Sequence, residues 1–206
     1  MKNRIDPFRG IHYHNRWFYY FQNFVKLGWR YDLRFKIAAK YIRPGESVLD
    51  ICAGPGQLLR YLPNRCRYEC IEASPQFNAL LRRRGIPSRE LDLHGGIAVG
   101  ELKADVVVMI VSLSHFRNST MTDLLAGFKR MGRRVVIVED VLQIPRSERS
   151  FIQKAMNYFC VTDYYLPTEL FTVKEFQDIM TAHGYQCLRY AGRYWIGLFE
   201  NPTGLE

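Results

Sequence analysis

The residues whose types and spacing suggest chemistry lie where an apolar run meets a glycine-rich turn. The run Ser47–Ile51 carries one charged residue, Asp50, and the turn that follows contains Gly54 and Gly56. This pattern predicts a buried strand, a tight turn and the first residues of a helix. Glycine lets the backbone approach a ligand closely, and the N–H groups of a helix start point to the same place. The arrangement therefore favours a nucleotide-type ligand.

Two common nucleotide-binding motifs are excluded at this turn. The dinucleotide fingerprint G-x-G-x-x-G, started at Gly54, would require glycine where the chain has Leu59. A P-loop would require Gly-Lys followed by Ser or Thr, and no such triplet follows the turn. The alternative to a ligand site is an ordinary strand, turn and helix whose glycines serve only the fold.

A second acid follows at a distance that suits an adenosine ligand. Glu72 ends an apolar stretch and stands 22 residues beyond Asp50, close to the ~20-residue offset of an acid that binds ribose hydroxyls. A carboxylate there can accept hydrogen bonds from both hydroxyls. Ser74 and Pro75 then predict a helix cap and the first helical position. The alternative for Glu72 is a surface acid without a ligand.

The elements that must position these residues alternate along the chain. The predicted strands are Ser47–Ile51, Tyr68–Glu72, Arg89–Leu91, Asp105–Val111, Arg134–Glu139, Tyr185–Ala191 and Arg193–Glu200. The predicted helices are Tyr31–Ile42, Gly56–Leu62, Pro75–Arg83, Gly95–Leu102, Thr120–Met131 and Thr172–His183. Such alternation predicts a parallel sheet with right-handed crossovers, here closed by a tight hairpin. With 206 residues and 48% hydrophobic content, the chain suits one α/β domain.

The turn also resembles a known family motif. Asp50, Ala53, Gly54 and Gly56 match D-x-x-A-G-x-G, which is similar to the first motif of class I S-adenosylmethionine (SAM) methyltransferases. Cys52 departs from the pattern, because the family usually has glycine at that position. The resemblance implies a Rossmann-like sheet of seven strands, mostly parallel with the last strand antiparallel. It also implies helices on both faces and an N-terminal helical lid.

The resemblance further implies the cofactor and the residues that bind it. SAM would be the cofactor and S-adenosylhomocysteine (SAH) the product. Asp92 matches the third motif, where an acid contacts the adenine amino group, although acids also end strands as turn formers. The implied cofactor-binding residues are Asp50, Cys52, Ala53, Gly54, Gly56, Leu58, Glu72, Ala73, Asp92, Leu93 and Val111.

The candidate catalytic residues follow the fourth and fifth strands. The stretch Asp105–Phe116 resembles the fourth motif of small-molecule methyltransferases, in which His115 matches a position that often carries histidine. His115 is the first candidate for a general base, with Glu139 or Asp140 next. A structural hydrogen bond beneath the cofactor is an equal alternative for His115. Glu139-Asp140 stands where catechol-type enzymes need Asp-Asn, so no metal is expected.

The N-terminal segment, residues 1–44, predicts a contact with an anion. It holds ten Lys/Arg against two Asp, and so accounts for nearly all of the net charge of +9. It is also rich in aromatic residues, which favours helices packed on domain 45–206 as a lid or as a cover for the core. An aromatic stretch from Phe151 to Phe171 is expected to wall the acceptor pocket. The candidate substrate-binding residues are Tyr19, Tyr20, Tyr31, His115, Tyr164 and Tyr165.

Composition and motifs together favour one function and leave two alternatives. The five scattered cysteines and the absence of a signal-peptide pattern or long apolar run predict a cytoplasmic protein, with membrane-surface contact through residues 1–44 as an open alternative. We expect a SAM-dependent methyltransferase acting on an O, C or N atom of a small hydrophobic acceptor such as a lipid, quinone or secondary-metabolite precursor, and whether the acceptor is anionic stays open. RNA is a less favoured substrate, because the nucleic-acid amino-methylation motif is absent. A non-catalytic SAM-binding protein is the other alternative, and the sequence carries no signal for an oligomeric state.

Overall fold

The computed structural model describes residues 31–96, 102–117, 120–142, 162–163, 166–167, 170–191 and 193–201. Four of the predicted substrate-binding residues, Tyr19, Tyr20, Tyr164 and Tyr165, lie outside the described residues. So does most of the predicted helix Gly95–Leu102. None of the helices in the described ranges is long and apolar enough to cross a membrane.

Seven strands form one mixed sheet in the order β3-β2-β1-β4-β5-β7-β6. They are β1 Ser47–Ile51, β2 Arg67–Glu72, β3 Ser88–Glu90, β4 Ala104–Ile110, β5 Gly132–Asp140, β6 Gln186–Ala191 and β7 Tyr194–Glu200. Strands β1 to β5 pair in parallel, whereas β7 pairs antiparallel with both β5 and β6. The predicted sheet, including its antiparallel last strand, is therefore confirmed. Two short strands, Thr162–Asp163 and Leu166–Pro167, pair with each other away from it.

Helices cover both faces of this sheet, as the family resemblance implied. They are α1 Leu33–Ala39, α2 Pro75–Arg83, α3 Met121–Met131 and α4 Val173–Ala182. The first buried cluster joins α3 and α4 to one face of the sheet through residues such as Phe128, Phe176 and Ile137. The second joins α1 and α2 to the other face, for example through Ile37 and Leu81. Since side chains alternate along a strand, neighbouring residues of β5 belong to different clusters.

Two helix predictions are wrong in length or type. The helix expected over Gly56–Leu62 is a five-residue 3₁₀ helix, Gln57–Tyr61. Gly56 before it is left-handed, and Leu62 after it is extended at φ −65° and ψ 143°, as expected before Pro63. The chain therefore has too few helical residues for an α-helix at this place. The helix expected over Tyr31–Ile42 is limited to the seven residues of α1.

At the amino ends of β1 and β4, far from the glycine-rich turn, side-chain hydrogen bonds join the two strands. Asp105 Oδ2 accepts hydrogen bonds from the backbone N–H of Ser47 at 2.9 Å and from its hydroxyl at 2.7 Å. These contacts join the first residue of β1 to β4. They lower the pKa of Asp105, because they stabilise its ionised form.

Candidate active site

The site lies at the carboxyl ends of β1 and β4, where the order of the sheet reverses. From β1 the chain crosses to β2 on one side, whereas β4 pairs on the other side of β1. Ligands of open α/β sheets bind in the crevice at such a point. Cys52 directly after β1 and Val111 directly after β4 both have left-handed backbones, with φ 58° and φ 51°. Strain of this kind costs about 1–3 kcal/mol and is found where a binding site fixes the backbone.

The glycine-rich loop needs its glycines for both conformation and space. Gly54 and Gly56 have φ 55° and φ 72°, a region that glycine enters without a Cβ penalty. A Cβ on Gly56 would lie 2.7 Å from Leu81 Cδ2 in α2, so the loop packs closely on that helix. The Gly56 N–H also closes a turn to the Ala53 carbonyl at 3.0 Å. The loop is thus a backbone cradle of fixed shape.

Glu72 holds this loop from the end of β2. Its carboxylate accepts a hydrogen bond from the Gly54 N–H at 2.6 Å and another from the Ser74 N–H at 2.8 Å. The side chain of Asn78 donates to the Glu72 carbonyl at 2.7 Å and fixes the strand end against α2. A carboxylate can accept about four hydrogen bonds, so these contacts are compatible with further ones to ribose hydroxyls. The loop and Glu72 are therefore compatible with the expected cofactor, and a contact of Glu72 with ribose stays a prediction.

Asp50 lies beneath the loop and is paired with a tyrosine. The hydroxyl of Tyr68 in β2 donates to Asp50 Oδ2 at 2.6 Å, and both side chains are buried. The pKa of Asp50 is raised to about 7, mainly because the carboxyl group is buried; the Tyr68 hydrogen bond opposes this rise and the charge of Glu72 adds to it. Tyr68 had no signal in the sequence, because the pairing depends on strand register. A direct role of Asp50 in cofactor binding stays a prediction.

Asp92 forms the turn that follows β3. Its Oδ1 atom accepts a hydrogen bond from the His94 N–H at 2.9 Å and lies 2.9 Å from His94 Nδ1. The His94 ring packs against Phe116, with ring centroids 4.7 Å apart. The next residue, Leu93, is buried in the first cluster. Asp92 therefore forms a turn, as acids at strand ends often do. Its contact with adenine stays a prediction.

His115 and Glu139 are brought together at the ends of β4 and β5. His115 is half-buried in a 3₁₀ turn, Leu113–Phe116. Glu139 is fully buried, and its carboxylate accepts hydrogen bonds from the Leu113 N–H at 2.9 Å and the Asp140 N–H at 3.2 Å. Burial raises the pKa of Glu139 to about 7, while the nearby charge of His115 opposes that rise. A buried carboxyl beside a histidine is an arrangement suited to moving a proton.

Asp140 points away from this pair. Neighbouring strand residues face opposite sides of the sheet, and Asp140 forms an ion pair with Arg193, which precedes β7. The carboxyl group is almost fully buried, so Arg193 compensates its charge. The structure thus separates Glu139 from Asp140, although the sequence grouped them as alternative bases. A catalytic role for Asp140 stays an untested prediction.

Comparison with known proteins decides the family. Residues 22–190 match the profile of a family described as a methyltransferase domain. The chain belongs to this methyltransferase family. It is therefore a SAM-dependent methyltransferase. A search of curated protein sequences finds no significant match.

Solved structures share the fold of this methyltransferase at low sequence identity. A DhpI–SAM–HEP complex is similar with a TM-score of 0.66 and 18% identity, covering 96% of this chain and 98% of that one. An O-methyltransferase family protein from Burkholderia thailandensis gives 0.64 and 16%, covering 87% and 59%, so the chain spans about three-fifths of that protein. A SAM-dependent methyltransferase from Thermotoga maritima, a possible histamine N-methyltransferase, gives 0.62 and 15%, covering 92% and 98%. SAM and SAH are bound in structures of this fold.

Tyr31 is the described member of the predicted substrate-binding tyrosines. In the methyltransferase it lies just before α1, with its ring edge-on to Phe35 at 5.6 Å between centroids. The guanidinium of Arg34 lies 4.4 Å from the centre of the Tyr31 ring. Phe35 in turn stacks on Tyr61 at 6.0 Å. An aromatic and cationic cluster therefore covers this part of the second sheet face, and contact of Tyr31 with an acceptor stays a prediction.

The described residues contain no group of three His, Cys, Asp or Glu side chains that could hold a metal ion.

The sequence gave no sign that Arg117, which follows the His115 turn, would have a role near the site. Its guanidinium forms an ion pair with Glu175 of α4. The pairing joins two residues 58 positions apart, a separation at which sequence spacing carries no information about contact.

Proposed function

We propose that this methyltransferase transfers the methyl group of SAM to an O, C or N atom of a small hydrophobic acceptor that carries a negative charge. One observation carries the proposal. A half-buried histidine, His115, belongs to the turn whose first residue, Leu113, donates its N–H to the buried carboxyl of Glu139, at the strand ends next to the glycine-rich loop. His115 follows β4, which is the neighbour of β1 in the sheet, and the glycine-rich loop follows β1.

Five residues are proposed to hold SAM. The backbone of Gly54 and Gly56 would cradle its methionine part, and the Glu72 carboxylate would accept from the ribose hydroxyls. Asp92 would face the adenine, and Cys52 would line the cradle where a smaller residue is usual. The loop conformation and the hydrogen bonds of Glu72 support this assignment. When bound, SAM supplies a methyl group on a positively charged sulfur.

His115 is proposed as the general base. It would accept the proton of an acceptor hydroxyl or amine as that group becomes a nucleophile. A carboxylate next to an imidazole stabilises the imidazolium that results. Glu139 supplies that carboxylate and also fixes the turn through the Leu113 N–H. Alignment of the reacting atoms by these residues is expected to contribute most of the acceleration.

The nature of the acceptor is inferred from charge and aromatic content. The basic segment 1–44 favours an anionic group, and the cluster around Tyr31 and Phe35 favours an apolar or aromatic body. The structural similarity to a possible histamine N-methyltransferase supports a small molecule as the substrate class. We also propose a reducing, cytoplasmic setting, consistent with four described cysteines that are free thiols. Membrane-surface contact through residues 1–44 is a further proposal.

The test is SAH production from SAM with a panel of small hydrophobic carboxylates, phenols and amines. His115→Ala should lower turnover of the best acceptor by about 10²–10⁴-fold, because a general base contributes on this scale. Glu139→Gln should lower it roughly 10-fold or more, because the imidazolium then loses its carboxylate partner. Both variants should keep their affinity for SAM. His183→Ala, which changes a histidine at the end of α4, is the matched control and should keep full activity.

Two results would contradict the proposal. Unchanged turnover in His115→Ala would show that this histidine is structural. Turnover of RNA in place of the small molecules, with binding that falls steeply between low and moderate salt, would support the RNA alternative.

A further inference from the structure

The turn that carries His115 is held at both ends by carboxylates from different elements. At its first residue, the Leu113 N–H donates to Glu139 Oε2 at 2.9 Å. After its last residue, Arg117 forms an ion pair with Glu175 of α4. His115 lies between these two contacts. A five-residue stretch fixed at both ends has little freedom to move its central side chain.

The contact of Arg117 with α4 is more than a surface ion pair. The side chains of Arg117 and Glu175 are only 22% and 33% exposed, and the guanidinium lies 4.9 Å from the centre of the Phe171 ring. Partial burial strengthens a charge-assisted hydrogen bond and a cation–π contact compared with exposed pairs. The position of Arg117 is thus defined by a charge and by a ring.

Glu175 is itself fixed, because it belongs to a capping box. Its Oε2 atom accepts from the Thr172 N–H at 2.8 Å, and its own N–H donates to the Thr172 hydroxyl at 3.2 Å. The start of α4 is attached to the continuation of β5 as well. The Leu142 N–H donates to the Phe171 carbonyl at 2.8 Å, and Leu142 bridges to Thr172.

These contacts form a closed ring. It runs from Glu139 in β5 to Leu113, through the turn to Arg117, on to Glu175 and Thr172, and back through Leu142 to β5. We propose that Arg117 is a positioning residue: its ion pair with Glu175 closes this ring and fixes the orientation of His115. The consequence for methyl transfer rests on the proposed function, whereas the effect on His115 itself does not.

The experiment measures the rate at which diethyl pyrocarbonate modifies each histidine of the full chain, followed by peptide mass spectrometry. Glu175→Gln removes the ion pair but keeps the cap, since Gln also serves at this position of a capping box. We expect His115 to react about tenfold faster in Glu175→Gln and in Arg117→Met, equivalent to ~1.4 kcal/mol of easier opening. Arg117→Lys, which keeps the charge, should restore part of the protection.

Two controls separate positioning from general loosening. His183 follows the last residue of α4, so its rate should not change in Glu175→Gln. Asp178→Asn breaks the exposed ion pair with Lys174 in the same helix and should leave the His115 rate unchanged. An unchanged His115 rate in Glu175→Gln, or an equal rise at His183, would overturn the proposal. Faster modification of His115, together with full turnover in His115→Ala, would support the positioning role and refute the proposed base.

Discussion

Replacing Asp50 by Asn should change how the stability of the protein depends on pH. The Asp50 carboxyl is buried with the Tyr68 hydroxyl as its partner, and its pKa is raised from 3.8 to about 7. A carboxyl group with a raised pKa in the folded state contributes full stability below its ordinary pKa. That stability is lost as the pH rises through the pKa of the folded state, because the carboxyl group ionises more readily in the unfolded chain than in the buried site.

The magnitude follows from this difference in pKa. At 1.36 kcal/mol per pH unit, the rise from 3.8 to about 7 corresponds to roughly 4 kcal/mol in total, of which about 2.5 kcal/mol falls between pH 5 and pH 8. Asn cannot ionise, yet its carbonyl can accept the Tyr68 hydrogen bond. The variant should therefore approach or exceed the wild-type free energy of unfolding at the alkaline end. Glu139, whose pKa is also raised to about 7, should keep part of the pH dependence in the variant.

Urea unfolding followed by tryptophan fluorescence at several pH values would measure this effect. Asp105→Asn is the matched control, because hydrogen bonds from Ser47 lower the pKa of Asp105. The stability that ionised Asp105 contributes is lost only as the pH falls. Above about pH 5, the free energy of unfolding of Asp105→Asn should therefore depend on pH as it does in the wild type. Parallel curves for wild type and Asp50→Asn between pH 5 and pH 8 would show that ionisation of Asp50 is not coupled to folding in this range.

Three further predictions concern the glycine-rich loop and the buried ion pair of Asp140. Gly56→Ala should lower the free energy of unfolding by about 2 kcal/mol or more in urea titrations, because the left-handed backbone is strained for Ala and the added Cβ clashes with Leu81. Gly85→Ala is the control: its φ is 69°, but nothing lies within 4 Å of the added Cβ, so the loss should be only about 1 kcal/mol. Cys52→Gly should raise that free energy by up to about 1 kcal/mol by releasing a strained backbone, and a marked loss would argue against strain. Arg193→Met should destabilise by about 3 kcal/mol at neutral pH, since it leaves the Asp140 charge buried, and a thermal melt unchanged from wild type would contradict this.

Local patterns in the sequence were sufficient to predict the sheet. Most strands were marked by apolar runs, whereas β3, with the sequence Ser-Arg-Glu, has no apolar residue. The helices α2 and α4 were marked by their caps. The Ser74 cap with Pro75 gave the start of α2, and the capping box of Thr172 and Glu175 gave that of α4. The 3₁₀ helix after Gly56 was mistaken for an α-helix, although Pro63 marks where it must end.

The site was predicted less completely, because its contacts depend on register and on distant pairings. Spacing assigned Gly54 and Glu72 to one ligand site, but it did not predict the hydrogen bond between them that the structure shows. The partners Tyr68 and Arg193 could not be found in this way, since strand pairing decides which side chains meet. Alternation in β5 does carry information, however: it implies that Glu139 and Asp140 face opposite sides of the sheet.

The main proposal is that SAM binds in the crevice at the carboxyl ends of β1 and β4 and contacts Glu72 at the end of β2. Calorimetric titration of SAM and SAH into the purified wild-type protein, Glu72→Gln and the control Glu69→Gln would test it most directly. We expect wild type and Glu69→Gln to bind both ligands, and Glu72→Gln to bind about tenfold more weakly, a loss of ~1.4 kcal/mol. Equal affinity in Glu72→Gln would place the cofactor elsewhere, and a folded wild-type protein that binds neither ligand would rule out a SAM site in this crevice.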